Sequence, residues 1–586
     1  VLWAWFELPF AVHGFGYPLG PDGPVYLWWT RLAGNDGLSA VPRPGVPAVA
    51  LVVRGATQLP LTAVIAGLEI SLSVALGLSC WAIARAGGGA RWVAAVAALL
   101  GGTFAVHLAA GYLATLAFAV PFAASLLALA RPTRRATIAA ALLLAAATMS
   151  HPLFAILGLA ILAAAAALSW REARDEAVRI AVGVGAAAAV VTVALLALAA
   201  GPPPLHVDTS RDGFLRRAGL GDVLRSAYLD RFVHRWTRYV EWFSVPLAAL
   251  GWPRTGGFVR RALGAWALVT VAGVGVSVAT GWFPADRFIT FGFSIPVLAG
   301  FGLERLSTWL GERRRVLAAS AGAILVVSML AGAWIAWARQ EPFVEDREVE
   351  QLTAVNAIAS TAPPGTPLVF YVNDREPSLS FLATRAGNVI RAAMPPARIR
   401  DVVVLVPHRF DAGPERARLG VVTSRDVRVA EREHHGSGSL WFLLSSFDPV
   451  DRRRSWTRVA PGVALGDDAT PPPVRLGGTA TDPLVPASAW QIALVSVIAL
   501  IAFGVGGYGW ARAAGLARGA DAAAVGPALG WAAFVVLAIA LERGGLRPTG
   551  TAAAVVDSAL AIGGGFALRA ILERRAGAHA PDEVGD

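Results

Sequence analysis

The chain has no lysine and one cysteine in 586 residues, so all 51 basic residues are arginine. A lone Cys80 excludes an intramolecular disulfide and any cysteine-based metal site. Charge is also scarce: 16% of residues are charged, against about 25% in an ordinary soluble domain. With 55% hydrophobic residues and a mean hydropathy of +0.56, a soluble enzyme and a disordered chain are excluded. No P-loop, dinucleotide fingerprint, G-x-S-x-G or zincin motif occurs, which argues against an ATP-driven pump and a soluble-type hydrolase. No internal repeat of fixed period is visible. The formal net charge of +11 does not call for nucleic acid, because cytoplasmic loops of membrane proteins collect positive charge.

What is present is a series of apolar runs, most near 20 residues and thus long enough to cross a bilayer, with 136–150 and 239–252 shorter. Runs at 60–84, 92–109, 111–130, 136–150, 152–169, 177–200, 239–252, 262–281, 288–304, 316–337, 488–510, 524–541 and 551–569 read as spans. The apolar opening from Val1 to near Gly14 is a partial one. The fold class expected is an α-helical polytopic membrane protein of about 13–14 spans. Arginine sets the orientation. Arg85 and Arg91, Arg131 to Arg135, Arg171 to Arg179, Arg254 to Arg261, Arg313 to Arg315, Arg512 and Arg518, and Arg574 with Arg575 all fall on one side of that span count. That side is expected to be cytoplasmic.

Four segments are then outside: a loop over 13–58, a second over 201–238, the turn Trp282 to Arg287, and a soluble insertion over 339–487. The chain divides into a membrane domain at 1–338, the insertion at 339–487, and a three-span segment with a tail at 488–586. Within the insertion, Pro367–Val372, Val402–Val406, Gly420–Thr423 and Leu440–Leu444 read as strands. Glu348–Ser360 and Ser378–Arg385 read as helices, giving a small α/β or α+β domain. The Pro- and Gly-rich 461–484 reads as a linker. In the second outer segment Leu224, Tyr228, Phe232, Trp236 and Val240 recur every four positions, with arginines including Arg235 opposite. Such a helix lies in the headgroup layer, where guanidinium binds lipid phosphate.

The first outer loop carries the most chemistry. Asp22 sits in a Gly- and Pro-rich stretch and is followed by Tyr26, Trp28, Trp29 and Arg31. Aromatic faces beside a carboxylate suit a sugar, and a carboxylate at the membrane surface can act as general base for an acceptor hydroxyl. An interfacial aromatic belt with a turn aspartate is the plainer alternative. Asp36, in an Asn-Asp-Gly turn, is a second candidate base. His151-Pro152 lies at an apparent outer hairpin, either as a functional group at membrane depth or as a cap beside a helix-breaking proline. His107, near Tyr112, reads as structural. Arg287, after Asp286, is a candidate to hold a lipid-linked phosphate, with an interfacial ion pair or a cap by Asp286 at a helix start as the plainer alternative. Glu69 falls inside a span, where a carboxylate is costly unless paired, and is set aside along with Glu7. Asn373 to Glu376 reads as a loop ion pair, and His434-His435 lacks the partners of a metal site. Tyr26, Trp28, Arg31, His151, Arg287 and Arg235 are the expected substrate- or phosphate-binding residues around Asp22.

An acid soon after the first span, many spans and a late soluble insertion together resemble the GT-C superfamily of polytopic glycosyltransferases. Asp22 in Gly20-Pro21-Asp22-Gly23-Pro24-Val25-Tyr26 stands at the position of that family's loop acid. The His151-Pro152 turn and Pro284 to Arg287 also resemble features of distant members. The resemblance implies a polyprenyl-phosphate sugar donor, and a glycan, lipid or protein acceptor on the outer face of the plasma membrane. It leaves a divalent metal open, because the paired acids of several GT-C families are absent from this loop. Two other classes compete: a transporter or flippase, for which the broken helices and repeats are not evident, and a non-catalytic envelope scaffold.

Overall fold

In the computed structural model, residues 1–20, 22–170, 174–199, 244–252, 257–280, 288, 290–310, 346–371, 387–405, 440–444, 456–460, 463–466, 484–516 and 519–577 are described, with scattered positions between 316 and 344. The membrane helices are α1 (Leu2–His13), α2 (Asp22–Asp36), α3 (Gly45–Thr57), α4 (Leu61–Ala86), α5 (Arg91–Gly111), α6 (Leu113–Leu129), α7 (Arg134–Ser150), α8 (Pro152–Ser169), α9 (Arg174–Ala199), α10 (Ser244–Leu250), α11 (Phe258–Thr280) and α12 (Ser294–Leu310). Helix α13 (Asp346–Thr361) belongs to the insertion, and α14 (Ala489–Ala513), α15 (Gly519–Arg543) and α16 (Thr551–Gly577) complete the chain. Among the described residues, seven helices are long and apolar enough to cross a bilayer: α4, α8, α9, α11, α14, α15 and α16. Three expected spans are helices of 17 residues, α6, α7 and α12. The run at 239–252 is helical over only 7 residues among those described. Most of 316–337 lies outside the described residues.

Helix α4 is the axis of the bundle. Its 26 residues reach about 39 Å at 1.5 Å per residue, more than a hydrocarbon core of about 30 Å. It is hydrophobic all round and buried along nearly its whole length, as a central helix must be. By contrast α9 and α16 leave Val182, Val193, Leu196, Val555, Leu560 and Ile571 exposed, the pattern of a face turned to lipid. Helices α14 and α15 meet backbone to backbone. A Cβ on Gly507 would collide with the Gly526 carbonyl, and one on Gly530 with the Phe503 carbonyl. Small residues let membrane helices approach closely where no hydrophobic force drives association.

The arginine-rich turns gather at one end. Arg260 donates to the Gly87 carbonyl, Arg261 to Ser169 Oγ at 2.8 Å, and Arg85 lies 3.7 Å from Asp521. The opposite end, here the loop end, carries the starts of α4 and α14, and the insertion. The insertion holds a five-stranded sheet of β1 (Leu368–Tyr371), β2 (Val402–Leu405), β3 (Leu440–Leu444), β4 (Trp456–Ala460) and β5 (Val463–Gly466). Its order is β2-β1-β3-β5-β4; the first three strands are parallel and β5 runs antiparallel to both its neighbours. Strand β5 falls within the stretch expected to be linker, and the paired β4 and β5 flank Pro461-Gly462. Buried Arg391 donates to the Val402 carbonyl at 3.0 Å. Burial pushes its guanidinium down to about 10, still charged at neutral pH. The expected strand Gly420–Thr423 and helix Ser378–Arg385 lie outside the described residues.

Candidate functional site

The segment expected to be one outer loop is two helices, α2 and α3, and most of their side chains are buried. A short loop joins α1 to α2. Gly14 ends α1 in the left-handed region at φ 67°, and its N–H bonds the Phe10 carbonyl. Gly20, at φ 72°, turns the chain into α2. The loop is tied down from several sides. Ala487 N donates to the Gly16 carbonyl at 2.8 Å, Tyr17 Oη to the Leu484 carbonyl at 3.3 Å, and Leu19 pairs with Pro342. From below, Leu19 N donates to Glu69 Oε2 at 3.4 Å.

Asp22 opens α2 and is half-buried. Its Oδ2 accepts the Leu113 N–H at 2.8 Å, the first helical N–H of α6. Helix α6 has no side-chain cap of its own at Tyr112, so Asp22 satisfies an orphan donor from another element. A carboxylate placed at two helix N-termini is electrostatically favoured. Glu69, fully buried in α4, lies within electrostatic reach of Asp22. Its Oε1 has no hydrogen-bond partner among the described residues. Sequence reasoning set Glu69 aside, although a carboxylate inside a span was the signal that pointed to it.

The other expected residues divide. Tyr26 is buried, edge-on to Trp29 at 5.3 Å. Trp28 and Arg31 each direct a donor to the insertion. Trp28 Nε1 donates to Asn388 Oδ1 at 3.1 Å, and Arg31 Nη1 to the Ala392 carbonyl at 2.5 Å. Asp36 pairs with Arg400 at 2.8 Å. Helix α2 is thus a seam between bundle and insertion. His151 is buried at the junction of α7 and α8, where its Nδ1 accepts the Phe154 N–H at 3.5 Å. That is the capping arrangement beside proline. Its ring lies 4.2 Å from Phe154, which packs on Phe118 of α6 and stacks on Phe291. Asp22 and His151 therefore both reach α6, one at its first turn and one through an aromatic cluster. Arg235, Arg287 and the side chain of His107 lie outside the described residues.

No protein-family model and no curated protein matches the chain. Among solved structures the chain is similar to the crystal structure of ArnT from Cupriavidus metallidurans bound to undecaprenyl phosphate. The two share 12% identity with a TM-score of 0.49, over 82% of this chain and 99% of that one. At that identity and score the likeness assigns neither family nor function to this chain.

The arrangement offers a half-buried carboxylate held in place and a second, fully buried carboxylate beside its loop. One oxygen of each is engaged by a backbone N–H. Among the described residues no group of three or more His, Cys, Asp or Glu forms a metal cage. One or two carboxylates can hold a hydrated divalent ion together with substrate phosphate, so the set leaves a divalent metal open. What Asp22 can do, with or without a metal, is take the proton of an acceptor hydroxyl.

Proposed function

We propose that the protein is a membrane glycosyltransferase. It moves a sugar from a polyprenyl-phosphate donor to a cell-envelope glycan, lipid or protein at the loop end, taken as the outer face of the plasma membrane. The acceptor oxygen attacks the anomeric carbon, and the bond from that carbon to the phosphate oxygen breaks. The acceptor proton passes to Asp22, and polyprenyl phosphate leaves with the bonding pair. Arg287 and Arg235 are the arginines assigned to the departing phosphate, whose developing charge they would stabilise. The observation that carries the reading is Asp22 itself. It is an acid at the start of α2, fixed on the α6 N-terminus at 2.8 Å and partly open, in a bundle built to sit in lipid. A GT-C-like chain and a docked insertion fit the same reading.

The test is sugar transfer by the full chain in membranes, from polyprenyl-phosphate sugars, with Asp22→Asn. Loss of a positioned general base costs roughly a hundredfold or more in rate. The Asn carbonyl still accepts from Leu113, so the variant should fold with little change in Tm. A variant that transfers sugar at the wild-type rate removes Asp22 from the chemistry. Uptake of substrate without transfer by the wild type would favour transport.

A further inference from the structure

Glu69 lies eight residues past the start of α4 at Leu61, which is about 12 Å along the helix axis. The Leu19 N–H reaches it there, so the loop between α1 and α2 dips well below the helix ends into the bundle. That single bond of 3.4 Å is a poor return for a carboxylate that is fully buried with its Oε1 unpartnered among the described residues. A buried, half-satisfied acid is destabilising. Such costs persist where the surrounding structure enforces them, and they concentrate at functional sites. Leu19 is three residues before Asp22, and Gly20, in the left-handed region, lies between them.

We propose that Glu69 is a positioning residue for Asp22. Its carboxylate pins Leu19 from below while Pro342 and residues 484–487 hold the loop from above. This fixes the first turn of α2, and so the direction from which Asp22 meets the acceptor, at the expense of fold stability. The inference rests on the transfer reading, in which Asp22 is the base.

The experiment uses the full chain with Glu69→Gln and Glu69→Met. Gln keeps an acceptor for the Leu19 N–H; Met keeps the length but removes it. Expected for Glu69→Met is an unchanged or raised Tm, with kcat at least about tenfold lower and KM within about twofold. Glu69→Gln should restore kcat to within about threefold of wild type. Amide hydrogen exchange over 14–21 should accelerate in Glu69→Met and not in Glu69→Gln, with the rest of the bundle unaltered. Two outcomes overturn the proposal: a Tm that falls in step with activity, which marks a merely structural acid, or unchanged kcat and exchange in Glu69→Met. Exchange is read whether or not any sugar is transferred. If Asp22→Asn stays fully active, it is the transfer reading that fails, whatever the Glu69 variants do.

Discussion

Two interfaces in this molecule are built on opposite principles. Helices α14 and α15 meet through Gly507, Gly526 and Gly530, backbone against backbone inside the bundle. Helix α2 meets the insertion through Trp28, Arg31 and Asp36, each making a polar contact at the loop end. Lipid offers no hydrophobic reward for helix association, so the first interface relies on close packing and leaves no room for side-chain adjustment. The second rests on a few directional polar contacts, of which the Asp36–Arg400 pair is open to water while the Trp28 and Arg31 bonds are buried. The first should be permanent, while the second can open without unfolding the bundle.

The sharpest way to break the contrast is Gly507→Val. The added side chain would meet the Gly526 carbonyl, an atom that cannot swing aside. A loss of about 4 kcal/mol or more is expected, in the range reserved for a core that cannot relax. The checks are Tm and the yield of monodisperse protein in detergent. Near-normal stability would mean that α14 and α15 can separate, and that the two interfaces do not differ in kind.

How much of this was legible in the sequence follows the same division. Spans such as 60–84, 152–169 and 551–569 coincide with α4, α8 and α16 near their starts, because long apolar runs carry their own signal. Strands β1, β2 and β3 were visible for a similar reason, as short β-branched and aromatic runs. Helices α2 and α3 were not. Asn35-Asp36-Gly37 reads as a turn, and nearly uniform burial leaves α2 without an amphipathic stripe. Tertiary burial overrides that local pattern. The β4–β5 pair was hidden because Pro461-Gly462 also marks a linker. Asp22 was singled out from its surroundings as a candidate, and its anchorage on α6 is not visible in them. The partnership with Glu69 joins residues 47 positions apart, a relation that spacing along a chain does not encode. Trp28 and Arg31 have the composition of a sugar or phosphate site, yet their donors are used by a domain more than 350 residues away.

Within the seam, Arg31→Met should have the larger effect. The Arg31 side chain is buried, and its bond to the Ala392 carbonyl is charge-assisted. Removing it leaves a buried carbonyl unsatisfied, and about 1.5–3 kcal/mol is expected. The loss should appear as faster proteolytic release of the insertion while the far-UV CD of the helical bundle is retained. Unfolding of bundle and insertion together would show that the seam is part of one cooperative unit.

The mildest change is Asp36→Asn. The Asp36–Arg400 pair is close, at 2.8 Å, but its side chains are 28% and 42% exposed. Exposed pairs contribute about 0–1 kcal/mol. Asp36 also accepts from Asn35 next to it, a contact an asparagine can keep. The expected result is a small rise in proteolytic release of the insertion at low salt, fading at about 1 M salt, where the Debye length is about 3 Å. Arg31→Met should show no such fading, because its bond is buried. If both variants responded equally to salt, the seam would be wet throughout, and Arg31 would be a rim contact like Asp36.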